Sequence, residues 1–274
     1  LSDDESQWPA AWEPFTPRGV AAFAGAAWAR LALAQILTAA LAAVVVVLTL
    51  HNDWFPVIRG SIQQMPAVGA LTNSTLAWQG ENPAQLGQNN FLGIAVDLFH
   101  SGELGRESHL QLELGQHDFR VYSILGYQPL DYPPDWNIPL NKTDLAPWWG
   151  AWEPWIMLGA GAAVFVALLV TWTVLATVYF IPVRILSFLE NHDLTLWQSW
   201  KLSSAALLPG AFFMIAGLAA YGLDWMDVIH LGSVTALHFL IQWIYVAISP
   251  FFAPRSKQAV KENKNPFAAP GKKP

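Results

Sequence analysis

Thr235, His238, Gln242, Tyr245 and Ser249 fall at spacings of 3, 4, 3 and 4 within Leu231 to Pro250, a run with no formal charge. On a helix that spacing places all five on one stripe, with Phe239, Leu240, Trp243 and Val246 on the other faces. The run has the ~20 residues a helix needs to cross a bilayer core. Imidazole is the group in the stripe that changes charge near neutral pH, and the others supply hydrogen bonds. An unpaired imidazole or amide is costly in hydrocarbon, so the stripe is expected to face protein, water or a ligand. Two uses follow. It can be a polar seam that joins helices, or it can line a ligand pocket or proton path.

Other groups with chemical potential are scattered. His100, His109 and His117 have irregular spacing and no HExxH or cysteine set beside them, so they are expected to be surface histidines rather than zinc ligands. Asp97, Glu103 and Glu107 have no EF-hand pattern around them and are expected to be solvated loop charges. A haem or pigment on His238 would want a second ligand, and His192 and His230 lie near the edges of apolar runs, at the wrong depth. No phosphate-binding loop, dinucleotide fingerprint or nucleophile elbow occurs. The expectation is a chain that is not an enzyme, with no catalytic, cofactor-binding or metal-binding residue. Asn73-Ser74-Thr75 and Asn141-Lys142-Thr143 are glycosylation sequons, meaningful in a glycosylating host.

Composition sets the class. Of 274 residues, 54% are hydrophobic and 12% charged, against about 25% charged in ordinary soluble domains. The absence of cysteine excludes a disulfide framework and thiol chemistry. Several of the fifteen tryptophans flank apolar runs (Trp28, Trp54, Trp148, Trp149, Trp152, Trp155), as membrane-interface anchors do.

Along the chain, residues 1–30 read as a tail and an interfacial segment, with Gly19 to Arg30 along the membrane surface. Leu31 to Leu50 is the first span. A lead of about thirty residues precedes it, so a retained signal-anchor is expected. Residues 51–154 form a small β-rich domain, with strands expected at Ser74–Trp78, Phe91–Leu98, His109–Leu114 and Asp118–Ile124. Trp155 to Ile181 is the second span, with small residues at 159, 163, 167 and 171, and Pro182 and Arg184 are expected to end it. Residues 182–201 form an amphipathic connector. The third span, Leu202 to Leu223, repeats Ser203, Gly210 and Gly217 every seven residues, a close-packing seam for the fourth span, 231–250. Residues 251–274 are a basic tail suited to anionic headgroups rather than nucleic acid.

Four spans put both termini on one side. On that side lie Arg18, Arg30, Arg184, Lys201, Arg255, Lys257, Lys261, Lys264, Lys272 and Lys273, whereas Arg59, Arg106, Arg120 and Lys142 lie opposite. The positive-inside rule then makes the termini cytoplasmic and residues 51–154 extracytoplasmic.

WFPVIRGSIQQMPAVGALTNSTLAWQGENP, FLGIAVDL and LSSAALLPGAFF resemble segments of an uncharacterised family of bacterial four-span membrane proteins with an extracytoplasmic insert and Yip-like last helices. The resemblance implies an α-helical membrane protein of the bacterial inner membrane, its strand unit ending in an aspartate that here is Asp97. The function expected from small-residue seams and a small insert is that of a non-catalytic accessory or scaffold subunit. Its partners would be membrane lipids and other integral membrane subunits. The alternative is a transport or ligand-sensing protein that uses the stripe.

Overall fold

The structure is a computed structural model that describes residues 13–192 and 194–254. It is mainly helical, with four helices long and apolar enough to cross a membrane: Trp28–Gln64, Lys142–Leu189, Leu196–Gly222 and Val228–Phe252. A small β-sheet region lies in the chain between the first and second of them.

Two compact units divide the chain, Leu1–Ala42, Phe165–Ala216 and Ser233–Pro274 in one, and Ala43–Val164 and Gly217–Gly232 in the other. In the first unit a short helix α1 (Pro17–Gly25), capped by the Thr16 hydroxyl, is buried from Gly19 to Ala24. It packs on α5 (Leu196–Ala205) and on the turn Ser249–Phe252. Gly19–Ala24 is therefore core rather than an open interfacial segment, since small and apolar residues on every side leave no polar face to keep wet. The first long helix begins as α2 (Trp28–Thr49), and α6 (Leu207–Gly222) follows α5 after a break at Ala206. Pro209 explains the break: it lacks an N–H for the carbonyl of Ala205 and crowds it. Every residue from Lys201 to Ala211 is buried, which makes this stretch the centre of the unit.

Helix α4 (Lys142–Leu189) is longer than its apolar run at both ends. Asn141 caps it by accepting from the Asp144 N–H, so the helix starts inside the segment expected to be β-rich. It passes Pro182 and Arg184 instead of ending there. One lost N–H is offset by burial of Val183 and Ser187 on the following turn, both fully buried. Helix α7 (Val228–Ile248) starts on an Asp227 cap, whose carboxylate accepts from the N–H groups of Ile229 and His230.

In the second unit, α2 gives way to a π-helical turn (Leu50–Trp54) and then α3 (Phe55–Gln64), a helix the sequence reading did not anticipate. Phe55 and Ile62 of α3 pack with Trp149 of α4, whose ring meets Phe55 edge-on at 5.2 Å. Trp149 is accordingly a core residue, whereas Trp148, Trp152 and Trp155 are exposed as interface anchors would be. Eight strands follow: β1 (Gly69–Thr72), β2 (Thr75–Trp78), β3 (Ala84–Gln88), β4 (Leu92–Val96), β5 (Leu110–Leu114), β6 (Asp118–Ser123), β7 (Gly126–Asp131) and β8 (Asn137–Pro139). The four expected strands correspond to β2, β4, β5 and β6. The sheets run β2-β1-β8 and β3-β4-β5-β6-β7, antiparallel except for β4 beside β5. A parallel pair needs a crossover, and here residues 97–109 supply it without a helix.

Candidate functional site

Two constellations stand out, one in each unit. The first is the stripe on α7. Gln242 and Ser249 are buried, and Thr235, His238 and Tyr245 are half-buried, while Phe239, Leu240 and Trp243 on the other faces are exposed. Val246, assigned by spacing to those other faces, is buried beside Gln242. Each member meets protein. Thr235 lies against the Met214 sulfur at 3.8 Å, His238 Nδ1 sits 2.6 Å from the Thr235 carbonyl of its own helix, and the Tyr245 hydroxyl donates to the Phe15 carbonyl.

Gln242 is the most constrained of the five. It crosses α6 at Gly210, where a Cβ would lie 2.6 Å from Gln242 Cγ and 2.7 Å from the His238 carbonyl oxygen. Glycine is thus required by close approach of the two helices. Ser203, expected on the same seam, turns to α4 instead, its hydroxyl 2.9 Å from the Ala176 carbonyl. Gln242 Oε1 and Ser249 Oγ are buried without a hydrogen-bond partner. Such groups call for an internal water, a small polar ligand or a partner donor.

The second constellation was missed in the histidine reading. His100 sits in the 97–109 crossover with its side chain 11% exposed. Its Nδ1 is 2.6 Å from Glu113 on β5, and its Nε2 is 2.7 Å from Asp118 on β6. Glu113, itself buried, also accepts from the Tyr122 hydroxyl at 3.2 Å. Asp118 is approached by Arg120 at 3.5 Å, and the Arg106 guanidinium covers the Tyr122 ring at 4.0 Å. Gly115 makes room, since a Cβ there would be 2.3 Å from His100 Nε2. Asp97 is fully buried at the other end of the crossover and accepts from Ser101 Oγ at 2.9 Å and from the N–H groups of Gly102 and Phe99.

Local chemistry explains both anchors. A crossover with no helical hydrogen bonds must find partners for its backbone among side chains. Asp97 does so through an Asx-type turn, and the Asp-x-x-x-Ser-Gly order in DLFHSG is the signal that could have found it. Nothing in the spacing of His100, Glu113 and Asp118 brings them together before β5 and β6 pair. The electrostatics match the geometry. Burial opposes the His100 imidazolium, but the bonds to Glu113 and Asp118 outweigh it against Arg120, so its pKa stands above the ordinary histidine value. Asp118 is likewise penalised by burial yet held low by His100 and Arg120. Asp97, also buried, is held low by Ser101 and the backbone N–H groups.

His109, the last residue of the same crossover, is partly buried rather than open. Its ring stacks on Tyr221 of α6 with Nδ1 3.0 Å from the phenol oxygen, and Phe91 meets both rings edge-on. Asn90 donates to Asp224 at 2.7 Å and Asn89 to the Asp53 carbonyl at 2.6 Å. Of the three histidines only His117 is exposed, and of the three carboxylates Glu103 and Glu107 are. Among the described residues no three His, Asp or Glu side chains are placed to hold a metal ion. Comparison with protein-family models, with curated proteins and with solved structures gives no match.

Proposed function

We propose that this chain is a non-catalytic, multi-pass membrane protein that serves as an accessory or scaffold subunit of a larger membrane complex. Its termini are cytoplasmic and its sheet region extracytoplasmic, as the distribution of basic residues argues. One observation carries the structural role: three of the histidines are satisfied by the titratable side chains they meet. Both His100 nitrogens are taken by carboxylates, His109 by Tyr221 and His230 by Asp227. A general acid or nucleophile must instead be poised toward the place where a substrate would sit. The joint of Phe91, Asn90 and His109 with Tyr221 and Asp224 ties the sheet to helix ends, as a scaffold needs.

Purification in a mild detergent tests this. Stoichiometric membrane subunits retained through two orthogonal columns support it. A monodisperse lone chain carrying a bound small molecule overturns it. The second reading, transport or ligand sensing, is favoured by the unpartnered Gln242 Oε1 and Ser249 Oγ on the stripe.

A further inference from the structure

Among the described residues, Lys201 is a cation without a counter-ion. It lies on α5 with 8% of its surface exposed, and its ammonium donates to the Ala26 carbonyl at 2.6 Å. That carbonyl follows the last turn of α1, where the helix dipole is negative, so part of the charge is compensated. Among the described residues no carboxylate oxygen comes within 4.0 Å of Lys201, although the ammonium has three protons to donate. A buried charge in this state calls for an anion.

The surroundings indicate which kind. The Lys201 nitrogen is 5.8 Å from the Trp28 ring centre, and Trp28 meets Trp197 and Trp200 at 5.9 and 5.4 Å. Trp200 spends its indole N–H on Thr177, at 3.2 Å. Trp28 and Trp197 are 48% and 68% exposed, and their indole N–H groups have no acceptor among the described residues. Exposed indoles beside a partly screened ammonium, at the start of two apolar helices, suit the headgroup layer of a bilayer, where amphipathic rings gather.

We propose that Lys201, Trp28 and Trp197 form a binding site for the phosphate of an anionic phospholipid. The proposal rests on membrane placement of the chain. A phosphate oxygen would take the free ammonium protons as a charge-assisted hydrogen bond, and the indoles would donate to the phosphodiester and pack on the glycerol. Bound lipid would then fix α1 against α5 from outside while Lys201 fixes it from within.

Native mass spectrometry of the full chain, released from detergent with equal phosphatidylglycerol and phosphatidylcholine, reads the site directly. Wild type should retain phosphatidylglycerol preferentially. Lys201→Gln should lower that preference roughly five-fold, the effect of one basic side chain at an anionic surface, and Lys201→Arg should keep it. Trp197→Ala should weaken retention of both lipids. A variant with Lys257, Lys261, Lys264, Lys272 and Lys273 changed to Gln should keep the preference, which separates the site from the basic tail. Equal retention by wild type and Lys201→Gln, or no preference in wild type when Lys201→Gln fails to fold, overturns the proposal. So does loss of the lipid to an equal concentration of inorganic phosphate, which would make this a free-phosphate site. A chain that stays dispersed without detergent overturns the membrane placement as well; a detergent-requiring chain with no lipid preference overturns the site alone.

Discussion

Replacing His100 should convert the sheet region from pH-sensitive to pH-indifferent in the neutral range. His100→Gln removes the cation that joins the crossover to β5 and β6. Removing one member of a buried ion pair costs about 3–5 kcal/mol when the other is stranded. Here Glu113 keeps the Tyr122 hydroxyl and Asp118 keeps Arg120, so the loss should be about 2–3 kcal/mol. The sign with pH follows from the direction of the shift. Because the folded-state pKa of His100 is raised, its contribution is complete below the ordinary value of 6.5 and disappears as pH rises through the higher folded value. Asp118 and Asp97 are shifted down, so their contributions hold above the ordinary 3.8 and are lost as pH falls through their folded values. The crossover is therefore tightest between those limits. Hydrogen exchange of the 97–109 segment, corrected for intrinsic amide pH dependence, should show protection falling on the alkaline side in wild type. It should be flat there in His100→Gln. Gly115→Ala, which would drive a Cβ to within 2.3 Å of His100 Nε2, should reproduce the loss without touching a charge. Superimposable wild-type and His100→Gln profiles would show that the imidazolium does not hold the crossover in place.

Gly210→Leu should lower thermal stability in detergent by about 1–3 kcal/mol, because even a Cβ meets Gln242 and the His238 carbonyl below 3.0 Å; an unchanged melting temperature would count against the close approach. His238→Leu should change stability by less than ~1 kcal/mol if the stripe only joins helices, as measured membrane hydrogen bonds average. If the stripe carries protons or a ligand, the same change should abolish function in a folded protein. Reporter fusions at Gln88 and at the C-terminus should show external and cytoplasmic activity respectively, and the reverse pattern would end the proposed topology.

The long apolar runs were legible because a 20-residue period-free stretch has few alternatives to a helix. HLQLEL was legible as a strand because Leu110, Leu112 and Leu114 alternate with polar residues. The β7 strand was not, since all six of its residues are exposed and no burial pattern marks it. Helix α3 was hidden by its short length, and Pro56 in its first turn sits where a helix tolerates proline. The stripe could be placed on one face by spacing alone, whereas the partnerless oxygens of Gln242 and Ser249 depend on what α6 and the neighbouring turn withhold. The His100 clamp needed three strands in register before its charges could meet.

The joint between sheet and helix ends also has a schedule. His109 and Tyr221 are 112 residues apart, and Asn90 and Asp224 are 134 apart. At ~5–20 residues per second, synthesis delivers Tyr221 roughly 6–22 s after His109. During that interval the faces of Phe91 and His109 have no phenol to cover them. The turn between α6 and α7 thus fastens a sheet that is already paired and already resting on α3, and a chain arrested before it would leave Phe91 and His109 without their cover.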